Sequence, residues 1–163
     1  MKVAFDSQIF SSQVYGGVSR YISSLAFHLA SQEGVDARIF APFYINSYLS
    51  HLPADMVIGR RVGKIPVLGG FLRASNQFLG AYKVRNFRPD IVHETYYSRF
   101  TNWSKTALHV ITVYDMIHEL FPDEFQGSEQ IIENKKVAIQ RVDRVICISD
   151  NTQNDLLKFH DLP

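Results

Sequence analysis

Cysteine is almost missing from this chain. Cys147 is the only one in 163 residues, so no intrachain disulfide can form, and such sparse use fits the cytoplasm. Cys147 lies in the apolar run Val145-Ile146-Cys147-Ile148, where a small buried hydrophobe is expected rather than a nucleophile. Long apolar runs are missing too. The N-terminus, MKVAFDSQIF, has no stretch of signal-peptide length, and no run approaches the ~20 residues of a membrane span. A soluble, cytoplasmic protein is expected, and Asn102-Trp103-Ser104 is then a chance match to a glycosylation sequon. A charge excess is also lacking: 17 Lys+Arg stand against 16 Asp+Glu, which disfavours a globally basic nucleic-acid binder. There is no GxGxxG, so a nicotinamide cofactor is not favoured. Gly59 to Lys64 imitates a phosphate loop but has three residues between its glycines where four are required, and Ile65 where Ser or Thr is needed. No Asp-x-Asp occurs, and the histidines at 28, 51, 93, 109, 118 and 160 show no ligand spacing; no metal is expected.

Apolar residues make up 46% and charged residues 20%, enough for one domain with its own core. The near-neutral total hides a segregation. Between 56 and 88 there are seven bases, Arg60, Arg61, Lys64, Arg73, Lys83, Arg85 and Arg88, and no acid. The segments on either side carry more acid than base. No internal repeat or low-complexity stretch occurs.

Lys2 to Asp6 reads as a first strand, followed by a loop from Ser7 to Tyr15 and the pair Gly16-Gly17. Val18, Ile22, Leu25 and Leu29 recur at helical spacing, and Gly34 closes that helix. Val35 to Ala41 is a second strand, and Met56 to Ile58 a short third. Pro66 opens an apolar and basic segment to Phe87 that is helical after Gly69-Gly70. Pro89 to His93 and Leu108 to Val113 are buried-strand signals. Gly127 to Gln140 is a helix with Ser128 as N-cap, Val142 to Ile148 a strand, and Ser149 to Thr152 the cap of a last helix, Gln153 to Phe159. Strands that read as continuous apolar runs and alternate with helices indicate a parallel sheet covered on both faces.

In such sheets ligands gather at the carboxyl ends of the strands. Gly16-Gly17 lies there, at a helix start whose free N–H groups and partial positive charge suit a phosphate. The bland alternative is a tight turn.

The stretch from Phe5 through Gly16-Gly17-Val18 and Arg20-Tyr21-Ile22 to Leu29 resembles the opening of family 4 retaining glycosyltransferases of the GT-B fold. Pro89-Asp90-Ile91-Val92-His93 is similar to their "PDIVH" strand. Val110 to Asp115 resembles their "vTvHD" segment, with Pro122 and Phe125 following as in mannosyltransferase-like members. Arg141 to Ser149, then Asn151-Thr152 and Asp155-Leu156, resemble their "aDrvicvSentkxdL" block. The resemblance implies an α/β Rossmann-like open, mostly parallel sheet forming one half of a GT-B enzyme. Residues 1–163 would be the N-terminal, acceptor-side domain, with the C-terminal donor-binding domain absent and the chain inactive as a transferase by itself. It implies a nucleotide-sugar donor as substrate, no other cofactor, a transferred hexose (mannose or glucose), and a glycan or lipid-linked acceptor.

It also implies roles. Gly16, Gly17 and Val18 reach the donor diphosphate, while Arg20, Glu94, Tyr96 and Tyr97 lie on the acceptor side. Tyr114 stands where the family has His; a Tyr can donate to a sugar hydroxyl, and His118 is a candidate stand-in, with an exposed loop residue as its alternative reading. Asp115 either accepts from an acceptor hydroxyl or caps its loop, and Tyr96 and Tyr97 either contact sugar or pack. Asp150 and Asn151 read as capping groups. The basic segment 60–88 interleaves with Val67, Leu68, Phe71, Leu72, Phe78, Leu79 and Tyr82. It suits an anionic membrane surface at the cytoplasmic face, or an anionic acceptor, or is an ordinary solvated helix. Competing readings for the whole chain are a stand-alone Rossmann-like module that binds a nucleotide or partner without catalysis and self-association through an uncovered cleft face.

Overall fold

The computed structural model describes residues 1–63, 69–99 and 104–160. Lys64, Pro66 to Leu68 and the Asn102-Trp103 half of the sequon lie outside the described residues, as does the side chain of Phe71.

Five strands form one parallel sheet: β1 (Lys2–Phe5), β2 (Asp36–Ile39), β5 (Ile91–Glu94), β6 (Leu108–Val113) and β7 (Arg144–Cys147), in the order β2-β1-β5-β6-β7. The expected strand at Met56 to Ile58 shrinks to one bridge. Ile39 N–H donates to Met56 O and Ile58 N–H to Ile39 O, both at 2.8 Å. A separate two-stranded parallel pair joins β3 (Phe43–Tyr44) to β4 (Arg60–Arg61). The chain winds outward from β1 to β2 and the 57 bridge, then returns to β5 and winds the other way. The topology therefore reverses between β1 and β5, the place where α/β sheets of this Rossmann-like kind open a crevice.

Register sorts the core. In parallel pairing Val3 and Phe5 face one way with Ala37 and Ile39, and Ala4 faces the other with Val92. Helix α2 (Gly17–Ala30) buries Ile22 and Ala26 in the cluster with Val3 and Phe5. Helix α3 (Gly69–Phe87) puts Ala81 and Val84 against Ala4 and Val92. The two faces are thus covered by different helices, as the continuous apolar strands require.

Several boundaries differ from the sequence reading. The stretch read as a loop from Ser7 to Tyr15 contains a short helix, α1 (Gln8–Ser12). Helix α2 ends at Ala30, and Gly34 instead occupies a left-handed turn (φ 75°) ahead of β2. Ser128 is not an N-cap: Gly127, at φ 79°, caps α5 (Ser128–Arg141), and Ser128 Oγ donates back to Phe125 O at 2.8 Å. The last helix, α6 (Asp150–Phe159), starts three residues earlier than expected: Ser149 caps it, its Oγ accepting from Thr152 N–H at 3.1 Å, while Asp150 and Asn151, read as capping groups, lie inside its first turn. Ser149→Ala should lower the unfolding free energy by about 1 kcal/mol, read from urea denaturation; an unchanged midpoint would mean that the cap carries no weight.

Gly59, the first glycine of the false phosphate loop, has a packing reason. A Cβ there would lie 1.7 Å from the Ala41 carbonyl oxygen and 2.5 Å from its carbon. Those are backbone atoms, so β3 and β4 would have to separate. Gly59→Ala should cost about 1–3 kcal/mol as overpacking does.

Candidate functional site

The crevice at the reversal is built from the ends of β1 and β5. Asp6 follows β1 and is fully buried. Thr95, just past β5, donates to Asp6 Oδ1 through its hydroxyl (2.5 Å) and its N–H (3.1 Å). Gln8 donates its N–H to Oδ1 (3.1 Å) and its side-chain amide to Oδ2 (2.6 Å). Ile9 N–H in turn donates to Thr95 Oγ1 at 3.1 Å. Asp6 therefore starts α1 and ties it to β5. Burial pushes its carboxyl up to about 6, against the pull of these hydrogen bonds. One residue pair away, His93 is buried edge-on to Phe5 (centroids 5.1 Å) and shares a hydrogen bond with Thr112 Oγ1 at 3.0 Å. Burial lowers its imidazole to about 4.

A cavity of about 410 Å³ opens over this clamp. Ser7 and Ser11 line it from the α1 side, Arg73 and Gln77 from α3, and Tyr96 and Arg99 from the segment after β5. Asn76 closes its far wall: its amide donates to Ser11 Oγ and to Phe43 O, and its carbonyl accepts from Phe43 N–H, all at 2.7 Å. Arg99 is paired with Glu133 at 3.1 Å; Arg73 and several hydroxyl and amide groups suit a polyhydroxylated, anionic ligand.

A second group of side chains gathers where β5 and β6 end. Tyr96 and Tyr97 lie 4.8 Å apart between centroids, and Tyr97 Oη accepts from Tyr114 N–H at 3.4 Å. Tyr114 is buried, packs edge-on to Tyr21 of α2 (5.8 Å), and its hydroxyl has no partner among the described residues. Burial first, then the neighbouring Tyr21, Asp6 and Tyr96, raises that phenol far above its ordinary value. It stays a neutral hydrogen-bond donor. Asp115 is exposed and its Oδ1 accepts from Ile117 N–H at 3.2 Å, which matches the loop-capping reading.

Other expected site residues lie elsewhere. Glu94 is fully buried: Oε2 takes Arg141 at 2.6 Å and Oε1 takes His109 at 3.3 Å. With both oxygens engaged it is a tie between β5 and α5, not a group offered to an acceptor. Arg20 lines a different groove, with Tyr48 and His51. His118 sits in the short helix α4 (Ile117–Leu120), with Nδ1 3.4 Å from Ser128 Oγ and its ring against Phe125. That contact engages it with α5 rather than with the tyrosine group. Cys147 is only half-buried, packed against the margin of the core rather than inside it as expected, and burial raises its thiol.

At the glycine pair, α2 begins with no side-chain cap and no acid in its first turn. Gly16 O accepts from Arg20 N–H (3.0 Å) and Ser19 Oγ (3.1 Å). A Cβ on Gly16 would meet the Gln13 amide at 2.2 Å, whereas Gly17 faces open space. The loop before it is buttressed by Asn46, which donates to Gln13 O at 2.8 Å.

Sequence reasoning missed Asp6, Thr95 and Lys135. Asp6 ends the first apolar run and could have been found by asking which polar residue ends each strand. Lys135 carried no signal. It is 1% exposed, donates to the Asp115 carbonyl (2.9 Å) and Glu119 Oε2 (2.8 Å), and lies 5.2 Å from the Tyr97 ring centroid. It thus joins α4, α5 and the tyrosine group. Among the described residues no cluster of three His, Cys, Asp or Glu has metal-holding geometry, and no helix is long and apolar enough to cross a membrane.

The model of the family described as Glycosyltransferase Family 4 matches residues 15–163. No curated protein and no solved structure matches the chain.

Proposed function

The chain belongs to glycosyltransferase family 4, and from that premise we propose that it is the acceptor-side half of a retaining hexosyltransferase. The donor would be a nucleotide-sugar carrying mannose or glucose, the acceptor a glycan or a lipid-linked sugar, and the donor-binding half would lie outside these residues. No further cofactor and no metal enter the reading.

The observation that carries it is the buried, unpartnered Tyr114 hydroxyl at the end of β6, beside the crevice at the reversal. Tyr114 donates to a hydroxyl of the transferred sugar, the task left open by the missing histidine. The uncapped start of α2 at Gly16-Gly17-Val18 takes the diphosphate, where N–H groups and the helix dipole stabilise charge as the bond from the anomeric carbon to phosphate breaks. Ser7, Ser11, Arg73 and Tyr96, on the walls of the 410 Å³ cavity, hold the acceptor, and Asp115 remains a candidate for its attacking hydroxyl.

The test is release of nucleoside diphosphate from a panel of GDP- and UDP-hexoses by the product of the complete reading frame. Tyr114→Phe should cut kcat/KM roughly tenfold, the worth of one hydrogen bond of ~1.4 kcal/mol, while leaving the urea midpoint in place. Failure of every nucleotide-sugar to turn over, with binding retained, would favour the non-catalytic binding module.

A further inference from the structure

Helix α3 turns an apolar surface outward. Its buried side is Asn76, Gly80, Ala81 and Val84. Phe78 (70% exposed), Tyr82 (65%) and Leu79 (44%) stand on the opposite side. At 3.6 residues per turn these three form one stripe, with Arg85 along one margin and Lys83 along the other, both exposed. A helix that hides an asparagine and shows two aromatic rings is not satisfied by water.

The same end of the helix carries a second feature. Arg85, Arg88 and Lys105 line a cleft together with Ser104 and Thr106, and among the described residues no carboxylate lines it. Ser104 Oγ and Thr106 Oγ1 lie 3.3 Å apart. Arg88 occupies this position at φ 52°, where glycine or asparagine is the usual residue. Lys2 Nζ, 5.1 Å from the Phe87 ring centroid, adds a further cation nearby. Three cations and two hydroxyls match a phosphate diester, and the apolar stripe next to them matches acyl chains.

We propose that α3 is a peripheral docking surface for an anionic lipid bilayer, with Phe78, Leu79 and Tyr82 entering the interface and the cleft of Arg85, Arg88 and Lys105 taking a lipid phosphate. Charge complementarity selects this occupant: Lys83 and Arg85 flank the stripe, Arg88 and Lys105 line the adjoining cleft, and aromatic rings flanked by cations suit the headgroup boundary. The surface stands on its own geometry and does not depend on which sugar, if any, is transferred.

Co-sedimentation with phosphatidylglycerol–phosphatidylcholine vesicles tests it, with pure phosphatidylcholine vesicles as the neutral arm. Binding should require the anionic lipid and weaken as salt rises. Arg88→Gly and Lys105→Ala should each weaken binding roughly fivefold, and together roughly thirtyfold, at the ~1 kcal/mol that one cation contributes near such a surface. Phe78→Ser with Tyr82→Ser should abolish binding. These residues are exposed, so urea midpoints should stay in place, and Arg88→Gly should fold at least as well because it relieves a positive φ. Arg88→Gly therefore separates docking from folding. Equal binding to neutral vesicles, no binding to either, or unaltered binding by the variants would overturn the proposal. So would a dimer in sedimentation velocity that Phe78→Ser with Tyr82→Ser dissolves in a protein that ignores vesicles, because the stripe would then join two copies.

Discussion

Lys135→Met is expected to remove about 3–5 kcal/mol of stability, the cost of leaving one member of a buried ion pair alone. Lys135 and Glu119 are 1% and 3% exposed at the side chain and meet at 2.8 Å. Glu119 Oε1 has no partner among the described residues, so without the ammonium the whole carboxylate is stranded. Methionine keeps the length and apolar stem, so little of the loss comes from packing. A domain with the usual ~5–15 kcal/mol would then be close to unfolding at ambient temperature. Pairing the change with Glu119→Leu should return more than half of the loss, because an apolar pair can replace a buried ionic one at little cost. Urea denaturation of the two single variants and the double variant reads this directly. Additive losses would show that the two charges are not coupled. The local consequence is larger than the pair: Lys135 also holds the Asp115 carbonyl and lies against Tyr97, so the tyrosine group should loosen first.

The second large effect is hidden in the wild type and appears only in variants. Asp6 has its folded pKa raised from 3.8 to about 6 by burial. Its folded state therefore holds a proton that the unfolded chain has released, and stability falls as pH rises from about 4 to 6. Two units correspond to about 3 kcal/mol. His93 has its folded pKa lowered from 6.5 to about 4, again by burial. The unfolded chain there holds the extra proton, and stability rises by about 3 kcal/mol between pH 4 and 6.5. The two slopes oppose each other in nearly the same window, so their sum is close to flat. Asp6→Asn leaves the histidine slope exposed and should make the protein markedly acid-sensitive. His93→Gln should do the reverse, with stability declining as pH rises. Urea midpoints at pH 4, 5, 6 and 7 check both. Parallel profiles for wild type and both variants would show that neither group titrates in this range.

How much of this was legible without coordinates differs from element to element. Leu108 to Val113 was read to the residue as β6, because five of its six residues are apolar or β-branched and leave little alternative. The cap at Ser149 and the apolar face of α2 were equally local signals. Helix α1 was not legible: its five residues include two serines, and it is held by Asp6, Gln8 and a hydroxyl from Thr95, 86 residues away from Ile9. The β3–β4 pair was missed for a similar reason. Two residues on each side cannot show a period, and sequence could reject Gly59 as part of a phosphate loop without showing that the Ala41 backbone lies against it.

Site residues divide the same way. Asp115, Tyr96 and Tyr97 were placed at strand ends from the chain alone, and they do gather there. Glu94 sits in the same kind of position, yet it is consumed by Arg141, 47 residues on. Lys135 and Lys136 are indistinguishable in sequence, although only the first is buried.

The amino-acid sequence by itself determined the parallel α/β class, the order of most elements, the glycine loop at a helix start and the basic segment between two acidic ones. These follow from periodicity, propensity and composition, each of which acts over a few neighbouring residues. Only the tertiary structure decided which polar groups face the crevice and which are paired off beneath it, and that α3 shows its aromatic rings to solvent. Those outcomes depend on which strand lies beside which and in what register, because a hydrogen bond or ion pair needs its partner within about 3 Å. No local pattern carries that distance.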